Sequence, residues 1–423
     1  MRRKNLVYFL VLILVSGFWL SGCRKNPDEE NLEARAREIH ERILTVDTHC
    51  DTPFQLLRSE WDIGLRHEPG SRENGQVDLP RMKEGGLDAA FFAVYYGQEE
   101  RTPEGYARAR EQALVYLKVL HRMAEDYSDL VGLAVSPEDA YRLEKEGKRA
   151  IFIGMENGYQ IGKDLSLLGL YHKKGVRYVT LCHSQDNDIC DSSTDRLHPE
   201  DNGLSDFGKK VVAECNRLGV MVDVSHISDR SFYDVLEVSS APVIASHSCT
   251  RALCDSPRNL TDEMLGALAS NGGVIQVCFV SSFVKKPDPN PERDKALAAI
   301  QEKYQSWKGV RDEAFRAKMR QEYREIFQKY PTEMATVAEL VDHIDHAVRV
   351  AGIDHVGIGT DFDGGGGVEG CNDVSQLPRI TEELVRRGYS EEEIQKIWGG
   401  NIMRVFKEVI DVSAKSQNDY QPE

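Results

Sequence analysis

A histidine and a carboxylate stand two residues apart in the stretch VDTHCDTP, which runs from Val46 to Pro53. The stretch comes directly after an apolar run, so we expect it to end a β-strand. Alternate residues of a strand point to the same face, and His49 and Asp51 would therefore project together at the strand end. By itself this pair predicts either two metal ligands or only a polar strand end. The rest of the chain has to decide between the two.

Six of eight apolar runs in the chain end on a residue that can bind a metal or exchange a proton. These residues are His49, Asp51, Glu156, His183, His226, His247 and Asp361. In a barrel of parallel strands the carboxyl ends meet on one face, where catalysis occurs. One histidine at such a position is usually structural, but four histidines and three carboxylates at matching positions predict a metal site that includes the opening pair.

Imidazole and carboxylate ligands without a thiolate suit zinc, and also manganese or iron. Catalytic zinc takes about three protein ligands and leaves a place for water. Two ions fit the available ligands if Glu156 bridges them, and such a pair holds a hydroxide as nucleophile. The ligand candidates are then His49, Asp51, Glu156, His226 and His247. Asp361 becomes the candidate proton shuttle, with Asp363 as the alternative, and His183 is free to stabilise an oxyanion.

The elements that must position these residues alternate along the chain. Near-continuous apolar runs indicate strands buried on both faces, as in parallel sheets. Amphipathic helical patterns lie between them, and eight such units predict an α/β fold of the (β/α)8 TIM-barrel type. An open doubly wound sheet is the alternative, although no G-x-G-x-x-G follows the first strand. Residues 284–332, after the seventh predicted strand, are highly charged and predict a helical insertion that borders the site or is merely solvated.

The N-terminus reads as an export signal. Residues 1–22 carry three basic residues, then an apolar run shorter than the roughly 20 residues of a membrane span. The ending LSGC resembles the lipobox of bacterial lipoproteins, which implies cleavage before Cys23 and lipidation of that residue; an uncleaved anchor is the alternative. Either way we expect an extracytoplasmic, membrane-anchored protein of the cell envelope. The predicted divisions are a polar tether over 23–38, one catalytic barrel over 39–411 and a tail over 412–423.

Composition excludes several partners. The formal net charge is −16, with no basic stripe, so binding to nucleic acid or to an anionic lipid surface is not expected. The eight cysteines other than Cys23 form no CxxC zinc pattern, and their pairing cannot be derived from the sequence.

These motifs resemble the membrane dipeptidase family, also called renal dipeptidases, a branch of the amidohydrolase-like zinc barrels. The resemblance extends over residues 39–410 and rests on VDTHCDTP, GMENG, LCHSQDNDICDSS, GLSDFGKKVVAECNRLGVMVDVSHIS, HSCTRALCDSPRNLTDEM and GIGTDFDGG. It implies two zinc ions per chain, with Glu156 shared by both. The ligands would be His49 and Asp51 for one ion, and His226 and His247 for the other.

The resemblance also implies roles for the remaining residues. His183 would contact the scissile carbonyl and the tetrahedral intermediate, Asp361 would transfer the proton, and Arg258 would bind the terminal carboxylate of a dipeptide. Arg258 is the only one of these that the strand pattern did not single out. The planar guanidinium suits this task because it can form two hydrogen bonds with a carboxylate. The chain departs from the family pattern at Cys50 and Ser256, neither of which is a ligand position.

The expected activity is therefore zinc-dependent hydrolysis of dipeptides with a free C-terminal carboxylate. The alternatives are an N-acyl-amino-acid deacylase or lactonase on the same metal scaffold, because a fold does not fix a substrate, and a non-catalytic lipoprotein that binds peptide or metal. A homodimer is compatible with these expectations.

Overall fold

The computed structural model describes residues 27–68, 74–195, 202–307 and 313–419. The strands found there form a single parallel sheet. They are β1 Val46–Cys50, β2 Ala89–Tyr95, β3 Val131–Leu133, β4 Arg149–Glu156, β5 Val176–Thr180, β6 Met221–Asp223, β7 Ile244–Ser248, β8 Val274–Cys278 and β9 Val356–Gly359. All eight predicted strands are confirmed.

The sheet curls into a barrel. Its strands follow the order β1-β2-β4-β5-β6-β7-β8-β9. Just beyond the last strand, the Asp361 N–H donates to the His49 carbonyl at 2.9 Å, and the Asp51 N–H donates to the Phe362 carbonyl at 2.8 Å. These bonds bring the last strand back to the first. The predicted (β/α)8 barrel is therefore confirmed, and the open-sheet alternative is wrong.

The sequence pattern missed one strand. β3 pairs in parallel with β4 through Val131 and Arg149 and lies outside the barrel order. It contains three residues, of which only Val131 is fully buried. A strand this short and this exposed has no apolar run that could have predicted it.

The connections are helical. The helices are α1 Pro27–Arg42, α2 Pro53–Leu56, α3 Leu79–Glu84, α4 Pro103–Asp126, α5 Pro137–Lys145, α6 Ser166–Lys173, α7 Asp206–Leu218, α8 Asp229–Val238, α9 Asp262–Ser270, α10 Ser281–Val284, α11 Pro291–Gln305, α12 Glu313–Lys329, α13 Val337–Ala351, α14 Pro378–Arg386, α15 Glu391–Gln395 and α16 Asn401–Asp419. Ser205, Ser228 and Thr261 cap α7, α8 and α9 by accepting a backbone N–H three residues further on.

The amino end of the barrel is filled by apolar side chains. Phe91 and Phe152 stack with ring centroids 4.6 Å apart, and Phe406 of α16 meets Phe152 edge-on at 5.8 Å. Val46 and Val274 belong to the same buried cluster. Because this end is closed by apolar packing, the space for a site lies at the opposite, carboxyl end of the barrel.

The predicted insertion after the seventh predicted strand, which is β8, is helical. It comprises the end of α10 together with α11 and α12. α10 reaches the site directly, because the Phe283 ring lies 5.3 Å from the Arg258 guanidinium carbon. Lys303 of α11 and Glu322 of α12 form an ion pair at 2.6 Å, which joins the two helices.

The N-terminal predictions fall mostly outside the described residues. Residues 1–22 and Cys23 lie there, so the signal and the lipidation site stay predictions. α1 begins within the predicted tether, and Ala36 is already buried. None of the described helices has the length and apolar character needed to cross a bilayer. The eight cysteines of the described chain are buried and unpaired.

Candidate metal centre

The junction of β1 and β9 brings His49, Asp51 and Asp361 together. His49 and Asp51 are buried, and His49 Nε2 lies 3.7 Å from Asp51 Oδ2. Asp361 adopts a left-handed backbone conformation with φ of 58°, and its carbonyl accepts the N–H groups of three following glycines, Gly364 to Gly366. His226, at the far side of the site, is also left-handed with φ of 72°. Such conformations cost energy in residues other than glycine and concentrate at functional sites.

Glu156, the last residue of β4, stands in the centre of the site. Its Oε2 lies 3.8 Å from His49 Nε2. Its Oε1 faces three other imidazoles, with Nε2 distances of 3.0 Å to His226, 3.5 Å to His247 and 3.8 Å to His183. The two oxygens of one carboxylate therefore face different sets of ligand candidates.

The seven residues predicted from the strand ends all meet here. Three sets have potential ligand atoms within 4.8 Å of one another. They are His49, Glu156 and His247; Glu156, His183 and His226; and His49, Asp51 and Asp361. These sets share members with the two predicted zinc sites but divide the residues differently, so the division of ligands between two ions stays a prediction.

The donor atoms fit a bound cation. In the described part of the chain, His49 Nε2 and Asp51 Oδ1 are buried and have no hydrogen-bond partner. Leaving such atoms unsatisfied costs about 1–3 kcal/mol each. A metal ion would satisfy both, and the imidazole and carboxylate chemistry of the set suits zinc.

Most of the imidazoles are held neutral, as metal ligation requires. Burial, followed by the charge of Arg258, lowers the pKa of His226 well below its usual value. Burial, followed by the charge of His49, lowers the pKa of His247 in the same way. For His183 the same burial and Arg258 lower the pKa to about 3. Neutral rings keep a lone pair for a metal or donate one N–H to a substrate.

The pKa values of the carboxyl groups shift in the opposite direction, upward. Burial raises the pKa of Glu156, and burial together with the neighbouring Asp51 raises the pKa of Asp361 to about 7. His49 differs from the other histidines: burial lowers its pKa, but Glu156 and Asp51 outweigh that and raise it to about 10. A bound cation would favour the charged form of these carboxylates and so oppose the effect of burial.

His183 is the most exposed of the four histidines, with 27% of its side chain exposed against 1–9% for the other three. Its ring centroid lies 4.7 Å from that of Tyr95, at the end of β2. A partly exposed neutral imidazole beside the metal-facing residues is placed where a substrate can contact it.

Arg258 lies at the edge of the same cluster. The side chain is buried, its Nη2 donates to the His247 carbonyl at 3.1 Å, and its Nε has no partner within the described chain. Burial lowers its pKa from the usual value. No strand-end pattern marks this residue, because it lies in the loop between β7 and α9; only the family resemblance pointed to it.

Asp363, the alternative to Asp361, has a structural place. Its Oδ2 accepts the Thr52 hydroxyl at 2.8 Å and its Oδ1 accepts the Gln76 N–H at 2.7 Å. Both carboxylate oxygens are therefore used in holding two loops together. Asp361, whose carboxylate interacts with that of Asp51, is the one that belongs to the cluster.

Sequence reasoning missed the buried polar residues that surround the ligands. The Tyr178 hydroxyl lies 2.8 Å from His49 Nδ1. Asp47 accepts two hydrogen bonds from Thr360, one from its backbone N–H at 2.8 Å and one from its hydroxyl at 2.6 Å. The signal that could have found Asp47, and Asp223 in MVDVSH, is a carboxylate inside an otherwise apolar strand run two or three residues before a histidine.

A (β/α)8 barrel with a buried histidine and carboxylate cluster at the carboxyl ends of its strands is typical of metal-dependent hydrolases. Comparison with known proteins narrows the class. The sequence profile described as membrane dipeptidase, peptidase family M19, matches residues 33–420. The chain belongs to this family and is a metallodipeptidase.

Individual relatives agree. Dipeptidase ataJ of Aspergillus terreus is 33% identical over 407 residues, covering 90% of this chain and 88% of the relative. The crystal structure of the probable dipeptidase PvdM of Pseudomonas aeruginosa superposes with a TM-score of 0.77 at 34% identity, covering 90% of this chain and 99% of PvdM. The crystal structure of a metallopeptidase of Rhodobacter sphaeroides, liganded with a phosphinate mimic of the dipeptide L-Ala-D-Ala, superposes with a TM-score of 0.68 at 26% identity. The match covers 87% of this chain and 99% of the relative.

Proposed function

We propose that this dipeptidase holds two zinc ions, bridged by Glu156, and cleaves dipeptides that carry a free C-terminal carboxylate. One observation carries the proposal: Glu156 directs Oε2 toward His49 and Oε1 toward His226 and His247. A carboxylate with separate ligand sets on its two oxygens is arranged as a bridge. When bound, the zinc ions supply Lewis acidity and a water of lowered pKa.

The surrounding residues then divide the work on the substrate. Asp361, whose carboxylate lies in one cluster with His49 and Asp51, would accept the proton of the attacking water and return it to the leaving amine. His183, neutral and partly exposed, donates a hydrogen bond to the oxygen of the scissile carbonyl as negative charge develops there.

Arg258 selects the substrate's length. Its side chain lies at the edge of the cluster, its Nε has no partner within the described chain, and a guanidinium can hold a terminal carboxylate through two hydrogen bonds. The Arg258 guanidinium would form an ion pair with the terminal carboxylate of a dipeptide, which follows directly after its single peptide bond. Longer peptides would place a neutral peptide group against a buried charge, which is costly.

We include L-Xaa-D-Xaa dipeptides among the substrates, with a role in processing cell-wall or scavenged dipeptides. The support is the dipeptide mimic bound by the Rhodobacter sphaeroides relative, whose second residue is D-alanine. A matched panel of L-Xaa-L-Xaa and L-Xaa-D-Xaa dipeptides tests this extension. Failure on every D-containing member would remove it and leave the dipeptidase activity unaffected.

The main test combines turnover with metal content on one sample of the full-length protein. We expect about two zinc ions per chain and hydrolysis of glycyl-amino acids but not of the matched acetyl-amino acids. Faster cleavage of the acetyl compounds would instead favour the deacylase. One zinc per chain at full activity would contradict the bridged pair.

We also propose that the protein is exported and held at a membrane by lipid on Cys23. The support lies in the basic start, short apolar run and LSGC ending of residues 1–23. Replacing Cys23 with alanine should release the protein from the membrane fraction and abolish labelling by a fatty acid. Labelling that persists in the variant would refute the anchor. The homodimer stays a prediction, which the mass of the detergent-solubilised protein would test.

A further inference from the structure

A further buried carboxylate is connected to the site indirectly, through a serine. Asp223, the last residue of β6, is fully buried. Its Oδ2 accepts the Ser246 hydroxyl at 2.6 Å and the Thr180 hydroxyl at 2.5 Å, while its Oδ1 accepts the N–H groups of Ser225 at 3.0 Å and of Ser246 at 2.8 Å. Asp223 thus joins β5, β6 and β7 at the level where their ends meet the metal centre.

Ser246 connects Asp223 to His247, one of the proposed zinc ligands. Its Oγ lies 2.8 Å from His247 Nδ1, and all three side chains are buried. A hydroxyl carries one proton, and a carboxylate can only accept. Because the Ser246 proton points to Asp223, the Ser246 oxygen must accept from His247, so the proton of this imidazole resides on Nδ1.

We propose that Asp223 acts through Ser246 as a positioning residue that fixes the tautomer of His247. With the proton on Nδ1, His247 Nε2 keeps its lone pair. It lies 2.9 Å from His226 Nε2 and 3.5 Å from Glu156 Oε1, between the residues to which the proposed function assigns a zinc ion. The inference rests on that proposed function and deepens it. Partners of this kind typically change metal affinity 10–100-fold when they are removed.

Substitution of Asp223 has a specific consequence. In Asp223→Asn, the new amide can donate to Ser246, and the Ser246 hydroxyl is then free to donate to His247 Nδ1. The imidazole would carry its proton on Nε2 and block the metal-facing position. Ser246→Ala removes the acceptor altogether. Both variants should therefore weaken zinc binding, although they alter different atoms.

Thr180 offers a matched control. Its hydroxyl bonds to the same Asp223 oxygen as Ser246 but, within the described chain, makes no hydrogen bond to an imidazole. If Asp223 only ties the strands together, Thr180→Val and Ser246→Ala should behave alike. If the contacts from Asp223 through Ser246 set the tautomer of His247, only Ser246→Ala should weaken zinc binding. Ser246→Thr keeps the hydroxyl and should therefore bind zinc like the wild type.

The experiment measures zinc affinity of the full-length protein by competition with a chromophoric chelator, with melting temperature as the check on folding. We expect Ser246→Ala and Asp223→Asn to bind one of the two zinc ions about 10–100-fold more weakly. Thr180→Val and Ser246→Thr should stay near wild type. Nitrogen-15 spectra of histidine-labelled, zinc-free protein should show one ring changing from the Nδ1–H to the Nε2–H form in Asp223→Asn.

Two outcomes would overturn the inference while leaving the proposed function standing. One is a folded Ser246→Ala protein with wild-type affinity for both ions. The other is an equal loss in Thr180→Val. If Asp223→Asn does not fold, the comparison of Ser246→Ala with Ser246→Thr decides. A wild-type protein that binds no zinc would instead refute the proposed function, and this inference with it.

Discussion

The role of Arg258 can be tested by changing the enzyme and the substrate together. In wild type, we expect the guanidinium to pair with the substrate's terminal carboxylate inside a site from which water is largely excluded, since Arg258 is only 6% exposed. Truncating one partner of a buried, hydrogen-bonded charge pair costs about 2–5 kcal/mol. Taking about 3 kcal/mol, Arg258→Ala should lower kcat/KM for a dipeptide roughly a hundredfold.

The matched substrate is the same dipeptide with its C-terminus amidated. It lacks the charge that Arg258 recognises, so wild type should cleave it poorly and the variant should lose little more. Arg258→Lys is the matched variant, and we expect it to recover only part of the activity because an ammonium cannot form the planar two-bond contact.

The measurement is the four-way comparison of kcat/KM for two enzymes and two substrates, at saturating zinc. An equal loss on acid and amide would refute the assignment. It would mean that Arg258 acts only by holding the His247 carbonyl, to which its Nη2 donates at 3.1 Å, and not by binding substrate.

Three further predictions follow from the charges of the site. Asp361→Asn should lower kcat about 10²–10⁴-fold at unchanged zinc content; a metal analysis showing lost zinc would contradict a pure proton-transfer role. In zinc-free protein, the pKa of Asp361 is raised to about 7, against about 3.9 in an unfolded chain. The native state therefore binds the Asp361 proton more tightly than the unfolded state does. The free energy of unfolding should then fall as pH rises from about 4 to 7, because Asp361 loses this proton. Asp361→Asn should then gain up to roughly 4 kcal/mol over wild type across that range in urea unfolding, and a pH-independent difference would contradict it. Finally, Glu156→Gln should reduce binding of both zinc ions, seen as loss of metal on dialysis, whereas retention of two ions would argue against a bridge.

The residues that lie together in the candidate metal centre could be predicted from the sequence because each strand end is marked by a local pattern. Apolar runs buried on both faces mark parallel strands, and each strand's last residues can be read without knowing its neighbours. His226 follows MVDVS and His247 follows VIAS, so the strand pattern alone places both at the carboxyl end of the barrel. The short β3 could not be predicted in this way, because three residues, two of them partly exposed, leave no periodic signal.

The tertiary structure decided the relations between strands. The sequence cannot show that Glu156 turns one oxygen to His49 and the other to His226, since these residues meet only when β1, β4 and β6 close into a barrel. The same holds for Asp361 over Asp363: the two stand two residues apart in one motif, and only the positions of Thr52 and Gln76 show which carboxylate is already occupied. The residue types at each strand end can be read from the sequence. The distances and hydrogen-bond directions among them cannot, because they arise from contacts between segments far apart in sequence.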